Sequence, residues 1–356
     1  MVEIIAEAGS NHNGSVDMAK ALVDAAARAG ADSVKFQFIF PDGLYLPEIL
    51  VGHEYRPLPA FRRRQEEQLS RQEWREVWEH ARDRGIPASA SVFDGSGIEL
   101  LSGLGAPYAK VASTDLTNLE LIAQACEAFE RVIVSTGMGT LAEVDRTYRF
   151  VTGNFPDVDL VLLHCVSVYP CPVPSANLDR MHILASAFAC PVGYSDHTLG
   201  NVASALAVHD GAPVVEKHFT LDRSLPGFDH RHALEEKDLV DFVGTLRSVS
   251  EMAAPAQKGA MDAEETTKKR ARRGLYAARD LPAGYVLRRE DLLYVRPATE
   301  SDLQPEVLIG AVLEVPVRRF QAVGLGRTAN LATSHAAEAQ DYWQREMREK
   351  GLTGDP

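Results

Sequence analysis

His197 and His218 are the residues of this chain best placed by type and spacing to hold a metal ion. Each follows a short apolar run, Pro191 to Tyr194 in one case and Ala212 to Val215 in the other, and each sits among polar neighbours: Ser195 and Asp196, then Glu216 and Lys217. Between the two runs, residues 201–209 carry small and apolar side chains at helical spacing, with Gly211 beyond as a stop signal, so the unit reads strand, helix, strand. Such a unit makes its two strands parallel and brings their ends to one rim, where Ser195, Asp196, His197, Glu216, Lys217 and His218 would gather. A single histidine is more often a core or surface residue without chemistry. Two neutral imidazoles at one rim suit a divalent transition metal, with open positions left for water or a substrate oxygen.

The elements that must position these residues follow in regular order. A first strand at 2–6 runs into the turn-rich Glu7 to Ser15, and a helix follows over 16–29 with Ser15 as N-cap and Gly30 as stop. Strands are expected at 33–38, 86–91, 108–111, 132–135 and 160–164, with helices at 71–84, 97–104, 119–129, 141–151 and 179–187, and a long closing helix at 235–253. Residues 39–70 interrupt the pattern with four prolines and the basic cluster Arg62-Arg63-Arg64; an insertion of this length reads as an active-site loop or lid, and the arginines equally as a solvated surface. Eight strands, each followed by a helix, predict a closed (β/α)8 TIM barrel rather than an open doubly wound sheet, and the first turn lacks GxGxxG spacing.

A barrel places its chemistry at the carboxyl ends of its strands. Polar residues are found there: Glu7; Lys35 and Gln37; Ser91; Lys110, Ser113 and Asp115; Ser135 and Thr136; Ser167 and Tyr169; Ser195, His197 and His218. Two lysines with several hydroxyls around one pocket suit a phosphate and a carboxylate. Glu7 and Asp229 are candidates for acid and base work, although Glu7 could equally be a structural carboxylate paired with Lys35.

Composition narrows the class. The 356 residues are 45% hydrophobic, enough for a sizeable core, and the net charge of −13 argues against a nucleic-acid or anionic-membrane surface. Cys126, Cys165, Cys171 and Cys190 show no CxxC spacing, fit reduced thiols in a cytoplasmic protein and receive no chemical role. Met1 to Glu7 has neither basic region nor long apolar run, so neither signal peptide nor membrane span is expected. The domain organisation reads as a barrel over 1–253, a polar linker over 254–273, a small second domain over 274–330 and a tail over 331–356 with a helix around Tyr342 and Trp343.

Seven stretches carry a family resemblance: Ala6-Glu7-Ala8-Gly9 with Asn11-His12-Asn13-Gly14, Val34-Lys35-Phe36-Gln37, Lys110-Val111-Ala112-Ser113, Ser135-Thr136-Gly137-Met138, Leu163-His164-Cys165 through Tyr169-Pro170, Tyr194-Ser195-Asp196-His197-Thr198, and Glu216-Lys217-His218-Phe219. In this order they resemble the barrel of the sialic acid synthase (N-acetylneuraminate synthase) family over residues 1–250, and 274–330 resembles that family's carboxy-terminal antifreeze-like (SAF) domain. The resemblance implies an enzyme that condenses phosphoenolpyruvate with an open-chain 2-acetamido-hexose, giving a nine-carbon 2-keto acid and phosphate by C–O cleavage. It implies manganese, with magnesium or cobalt as substitutes, on His197 and His218. Phosphoenolpyruvate would be held by Lys35, Ser91, Lys110, Ser113, Ser135, Ser167 and Ser195, and the sugar by Gln37, Tyr169 and Asp229, with Glu7 as the catalytic carboxylate. A domain-swapped homodimer would bring Arg296 from the partner's small domain.

Three departures stand out: Ser167 where many members have asparagine, Phe228 where proline usually precedes the aspartate, and Ala-Thr-Glu-Ser after Arg296-Pro297. The last two touch the sugar side, so the acceptor could be of a legionaminate, pseudaminate or otherwise altered type rather than N-acetylmannosamine. Two rival readings remain: an aldolase forming a Schiff base on Lys110 or Lys217, and a sugar-binding protein without catalysis.

Overall fold

Alternation of strand and helix closes on itself eight times. In the computed structural model, which describes residues 2–254, 262–299, 303–325, 329–331 and 335–352, the strands are β1 (Glu3–Gly9), β2 (Ser33–Phe38), β3 (Ala88–Val92), β4 (Ala109–Val111), β5 (Arg131–Ser135), β6 (Asp159–Cys165), β7 (Val192–Asp196) and β8 (Val214–His218). They pair in sequence order and β8 returns to β1, so the first unit is a (β/α)8 barrel. The covering helices are α1 (Val16–Ala29), α2 (Arg71–Asp83), α3 (Gly95–Gly103), α4 (Leu119–Ala128), α5 (Leu141–Asn154), α6 (Asp179–Ala187), α7 (Val202–His209) and α8 (Glu236–Met252). Local rules set their ends. The Ser15 side chain accepts from the Met18 amide, Gly30 closes α1 at φ +76°, and Ser70 and Thr140 each form a reciprocal capping box with a glutamate at the third helical position.

Side-chain alternation sorts each strand into an outer face under the helices and an inner face within the barrel. On the inner face Ile5, Tyr108, Ile133, Val161, Leu163 and Val214 pack into one apolar cluster that plugs the barrel. Two residues further along their strands the inner face turns polar, at Glu7, Lys110, Ser135 and Glu216, and Cys165 follows Leu163. Strands β7 and β8 run past the apolar residues that mark them in sequence, because neighbour pairing rather than apolarity sets their ends: Ser195 pairs with Glu216, Asp196 with Lys217, and Glu7 with His218.

Residues 39–70 are more ordered than the irregular loop expected there. They contain a short helix (Pro41–Leu44), an antiparallel hairpin (Glu48–Val51 with Glu54–Pro57) and a second helix (Pro59–Glu66). Arg64 on that second helix is buried, whereas Arg62 is exposed and Arg63 half-buried.

The chain divides at Ala254 into two compact units, Met1–Ala254 and Pro255–Pro356. In the second, strands Gly274–Ala277 and Leu292–Val295 pair antiparallel over a small core that includes Leu275, Leu287, Leu308 and Val323. Residues read from the sequence as polar linker form a helix over Asp262–Ala271, and the tail forms another over Ala336–Glu349. The Arg270 guanidinium lies 3.8 Å over the Tyr342 ring, so these two helices pair with each other. Among the described residues no helix is long and apolar enough to cross a membrane.

Gly193 tests the inner packing. A Cβ there would lie 2.3 Å from the Val214 carbonyl oxygen and 2.7 Å from Leu163 Cδ2. Gly193→Ala should destabilise the chain by about 1–3 kcal/mol in urea unfolding, the range for an overpacked core. Gly244→Ala, in open space on α8, should instead stabilise it by about 0.5–1 kcal/mol.

Candidate active site

Fourteen side chains were singled out by sequence as site residues, and twelve of them line one cavity of about 270 Å³ at the carboxyl end of the barrel: Glu7, Lys35, Gln37, Ser91, Lys110, Ser113, Ser135, Ser167, Tyr169, Ser195, His197 and His218. Asp229 stands at its edge, with Oδ2 3.9 Å from His218 Nδ1. Arg296 is an exposed residue of the second unit. Asp115 does not line the cavity; its carboxylate accepts from Thr114 and Asn118 in the turn after β4.

At the floor is a buried charge cluster. Lys35 Nζ lies 2.5 Å from Glu7 Oε2 and 3.6 Å from Glu216 Oε2, and it donates to Ser91 Oγ at 2.8 Å. Glu7 Oε1 accepts from Gln37 Nε2 at 2.9 Å, and Glu216 Oε1 accepts from Ser195 Oγ at 3.1 Å. Pairing with Lys35 and a place on the cavity wall, treated as alternatives for Glu7 from sequence, are both realised. Glu216, named only as a rim residue, proves central to the charge balance. It was legible as an inner-face position of β8, two before His218.

Burial and neighbours split the two carboxyls. Burial is the largest influence on Glu7, and with the Glu216 charge it outweighs Lys35 and pushes the carboxyl up to about 7. Burial opposes ionisation of Glu216 as well, but Lys110, Lys35 and His218 outweigh it and bring this carboxyl down to about 2. Environments that separate two carboxyls in this way mark one as a proton carrier near neutrality and the other as a fixed negative charge.

Lys110 has a different setting. Its ammonium donates to Ser135 Oγ at 2.7 Å and to the Val111 carbonyl at 3.1 Å, and it has no ion pair among the described residues. Burial lowers its pKa. Around it Ser113 Oγ accepts from the Gly137 amide at 3.0 Å and lies 3.0 Å from Cys165 Sγ. A Cβ on Gly137 would fall 2.4 Å from Ser167 Oγ and 2.7 Å from Cys165 Sγ, so only glycine leaves this corner open. A buried amine that donates to one hydroxyl and one carbonyl and lacks a carboxylate partner is able to receive an anion. Cys165, given no role by sequence, belongs to the wall of this receptor.

The other side is built of rings. Tyr169 packs 4.1 Å from the His197 ring, 5.8 Å from His218 and 5.1 Å from His232, centroid to centroid. His197 Nδ1 donates to the Val166 carbonyl at 2.7 Å, which leaves Nε2 with its lone pair, 3.4 Å from Ser195 Oγ. Burial, helped by the neighbouring His218, lowers His197 to about 4, and burial lowers His218 too. Both are neutral donors at physiological pH. Among the described residues, His218, Asp229 and His232 form a group whose ligand atoms lie within 4.8 Å of one another. His232 was missed in sequence; the His230-Arg231-His232 run following Asp229 was the available signal.

Asp196 and Lys217 do not join the site. They alternate onto the outer face of β7 and β8, where Lys217 Nζ lies 2.9 Å from Asp196 Oδ2 and donates to the Thr198 carbonyl, and Asp196 accepts from Ser204 Oγ at 2.7 Å. Lys217 therefore cannot serve as a Schiff-base lysine in this cavity. The basic cluster resolves similarly: Arg64 alone turns inward, donates to Ser10 Oγ at 2.8 Å, and lies 4.3 Å from the centroid of Phe228, next to Asp229.

A parallel barrel with an anion receptor and a cluster of neutral imidazoles facing each other across one carboxyl-end cavity defines an enzyme-like class of site. The comparisons make the assignment specific: the NeuB family model matches residues 22–258, and the chain belongs to that family. An N,N'-diacetyllegionaminic acid synthase of Legionella pneumophila is 38% identical over 310 residues, covering 83% of this chain and 85% of that protein. One of Campylobacter jejuni is 33% identical over 316 residues, 87% of this chain and 95% of the other. The crystal structure of an N-acetylneuraminic acid (sialic acid) synthetase from Leptospira borgpetersenii superposes with a TM-score of 0.66 at 29% identity, over 75% of this chain and 90% of that one.

The shifted Glu7 has a measurable consequence. The unfolded chain releases this proton near 4.5 and the folded chain near 7, so the folded state is favoured below 4.5 and that advantage is lost as pH rises through 7. Glu7→Gln removes the titration. Between about pH 5 and pH 8 the variant should lose less stability in urea unfolding than the wild type; equal losses would place the titration elsewhere.

Proposed function

We propose that the chain is a phosphoenolpyruvate-dependent synthase that joins phosphoenolpyruvate to an open-chain 2-acetamido-hexose, forming a nine-carbon 2-keto acid and inorganic phosphate. The observation that carries this reading is the pairing, in one cavity, of Lys110, which has no carboxylate partner, with the neutral His197 and His218. Lys35, Ser91, Lys110, Ser113, Ser135, Ser167 and Ser195 would hold the phosphate and carboxylate. Gln37, Tyr169 and Asp229 would orient the sugar. Arg296 would come from the second unit of a partner chain, in the swapped homodimer and antifreeze-like arrangement that the family resemblance implies.

The residues present fit a divalent metal, which we take to be manganese: His218 Nδ1 and His232 Nε2 are buried without a hydrogen-bond partner, and His197 keeps Nε2 available. Bound there, the ion supplies Lewis-acid polarisation of the sugar aldehyde. The protein's own part is positioning and proton handling. Lys35 and Lys110 fix the phosphorylated enol so that its C3 faces the aldehyde carbon. The new C–C bond leaves the aldehyde oxygen to take up a proton, water adds at C2, and the C2–O bond to phosphate breaks to leave the ketone. Glu7, poised near 7, is the group able to hold the proton exchanged between that water and the new hydroxyl. Because the relatives named above include two N,N'-diacetyllegionaminic acid synthases, a hexose bearing a second acetamido group is the first acceptor to try.

One observation favours a second reading, a Schiff-base aldolase at Lys110, since burial lowers the pKa of that amine. Borohydride with substrate would trap it, and chelators would leave it active.

The test is phosphate release from phosphoenolpyruvate with a panel of 2-acetamido- and 2,4-diacetamido-hexoses in manganese. Release that stops with chelator, needs the sugar and survives borohydride is expected. His218→Ala should cut kcat by about 10³-fold, the several kcal/mol of Lewis-acid stabilisation. Gly137→Ala should raise the KM for phosphoenolpyruvate about tenfold or more, the effect of filling an anion corner by a single carbon. No release with any acceptor would favour a binding protein.

A further inference from the structure

The 226–232 loop after β8 contributes more to the imidazole cluster than a sugar contact. Asp229 and His232 flank His230, whose ring is buried and anchored: its Nδ1 lies 2.6 Å from Thr220 Oγ1 and its Nε2 3.4 Å from Asn13 Oδ1. Gly227 packs so closely on the same ring that a Cβ would lie 2.6 Å from it, and Arg64 holds Phe228 from above. Asp229 and His232 are therefore presented by a pinned segment.

What they face is His218, which is 7% exposed. His218 Nδ1 and His232 Nε2 are both buried and both lack a hydrogen-bond partner, while Asp229 Oδ2 lies 3.9 Å from the former. A buried ring nitrogen left unsatisfied is a cost to folding. Two such nitrogens lie beside one carboxylate, and no described residue satisfies them. A cation removes both costs, and a two-histidine, one-carboxylate set is a donor combination for divalent first-row transition ions.

We infer that His232 is a metal ligand of this chain, joining His218 and Asp229 so that three protein side chains hold the ion. The ring of Tyr169, packed on His197, His218 and His232 together, keeps the imidazole planes set. This inference takes from the proposed function only that a divalent ion binds at His218. The reaction itself does not depend on it.

The experiment uses the full chain, stripped with chelator and titrated with Mn2+ by calorimetry and with Co2+ by visible absorption. Wild type, His232→Ala, His232→Gln, Asp229→Asn and, as a surface control, His209→Ala are compared, with the unfolding temperature of each metal-free protein recorded. Loss of a ligand should weaken Mn2+ binding about 10- to 100-fold in the His232 and Asp229 variants and change the Co2+ spectrum, with no change in His209→Ala. Metal-free unfolding temperatures should stay near wild type, since the substituted ring makes no hydrogen bond. If both His232 variants bind Mn2+ and Co2+ as the wild type does, His232 is not a ligand and the inference falls, whether or not phosphate release is seen. If metal binding weakens as expected while no sugar yields phosphate, the inference stands and the synthase reading falls.

Discussion

Burying four ionisable groups inside a parallel barrel is the constraint on which this molecule depends. Lys35, Lys110, Glu7 and Glu216 stand on the inner face with almost no solvent, directly above an apolar plug. Charges in that position are costly unless paired. Lys35 is satisfied by two carboxylates, but Lys110 is met only by a hydroxyl and a carbonyl. In a protein of net charge −13, a buried amine without a carboxylate partner is a setting that suits an anionic ligand.

The same burial prepares the opposite wall for a cation. Desolvation disfavours imidazolium at His197, His218 and His232, so these rings carry lone pairs rather than charge. Lys110, His197 and His218 line one cavity, so a negative charge and a cation placed there would attract each other. Dry walls strengthen that attraction relative to bulk water. The arrangement suits a reaction in which a phosphorylated acid and a polarised carbonyl must meet.

The segments outside the barrel's repeating pattern shape the sugar side of the cavity. Arg64, delivered by the insertion after β2, packs on Phe228 of the loop after β8. The departure at Phe228 from the proline usual in the family is thereby tied to a second feature, a buried arginine far away in sequence. That contact and the anchored His230 together fix the course of the loop that carries Asp229.

The sequence by itself determined the barrel, because eight apolar runs separated by amphipathic helices have few other ways to bury their surface. It also determined most of the cavity, because strand ends in such a barrel converge. It could not show which of two adjacent polar residues faces inward. Asp196 and Lys217 read as site residues beside Ser195 and Glu216, yet a period of two sends them under the helices, and strand register is settled only when the sheet closes. Nor could it pick Arg64 from the two arginines before it, or His232 from a run of three basic residues. Those choices arise from contacts between segments distant along the chain, where burial and orphaned ring nitrogens are consequences of packing and leave no local trace.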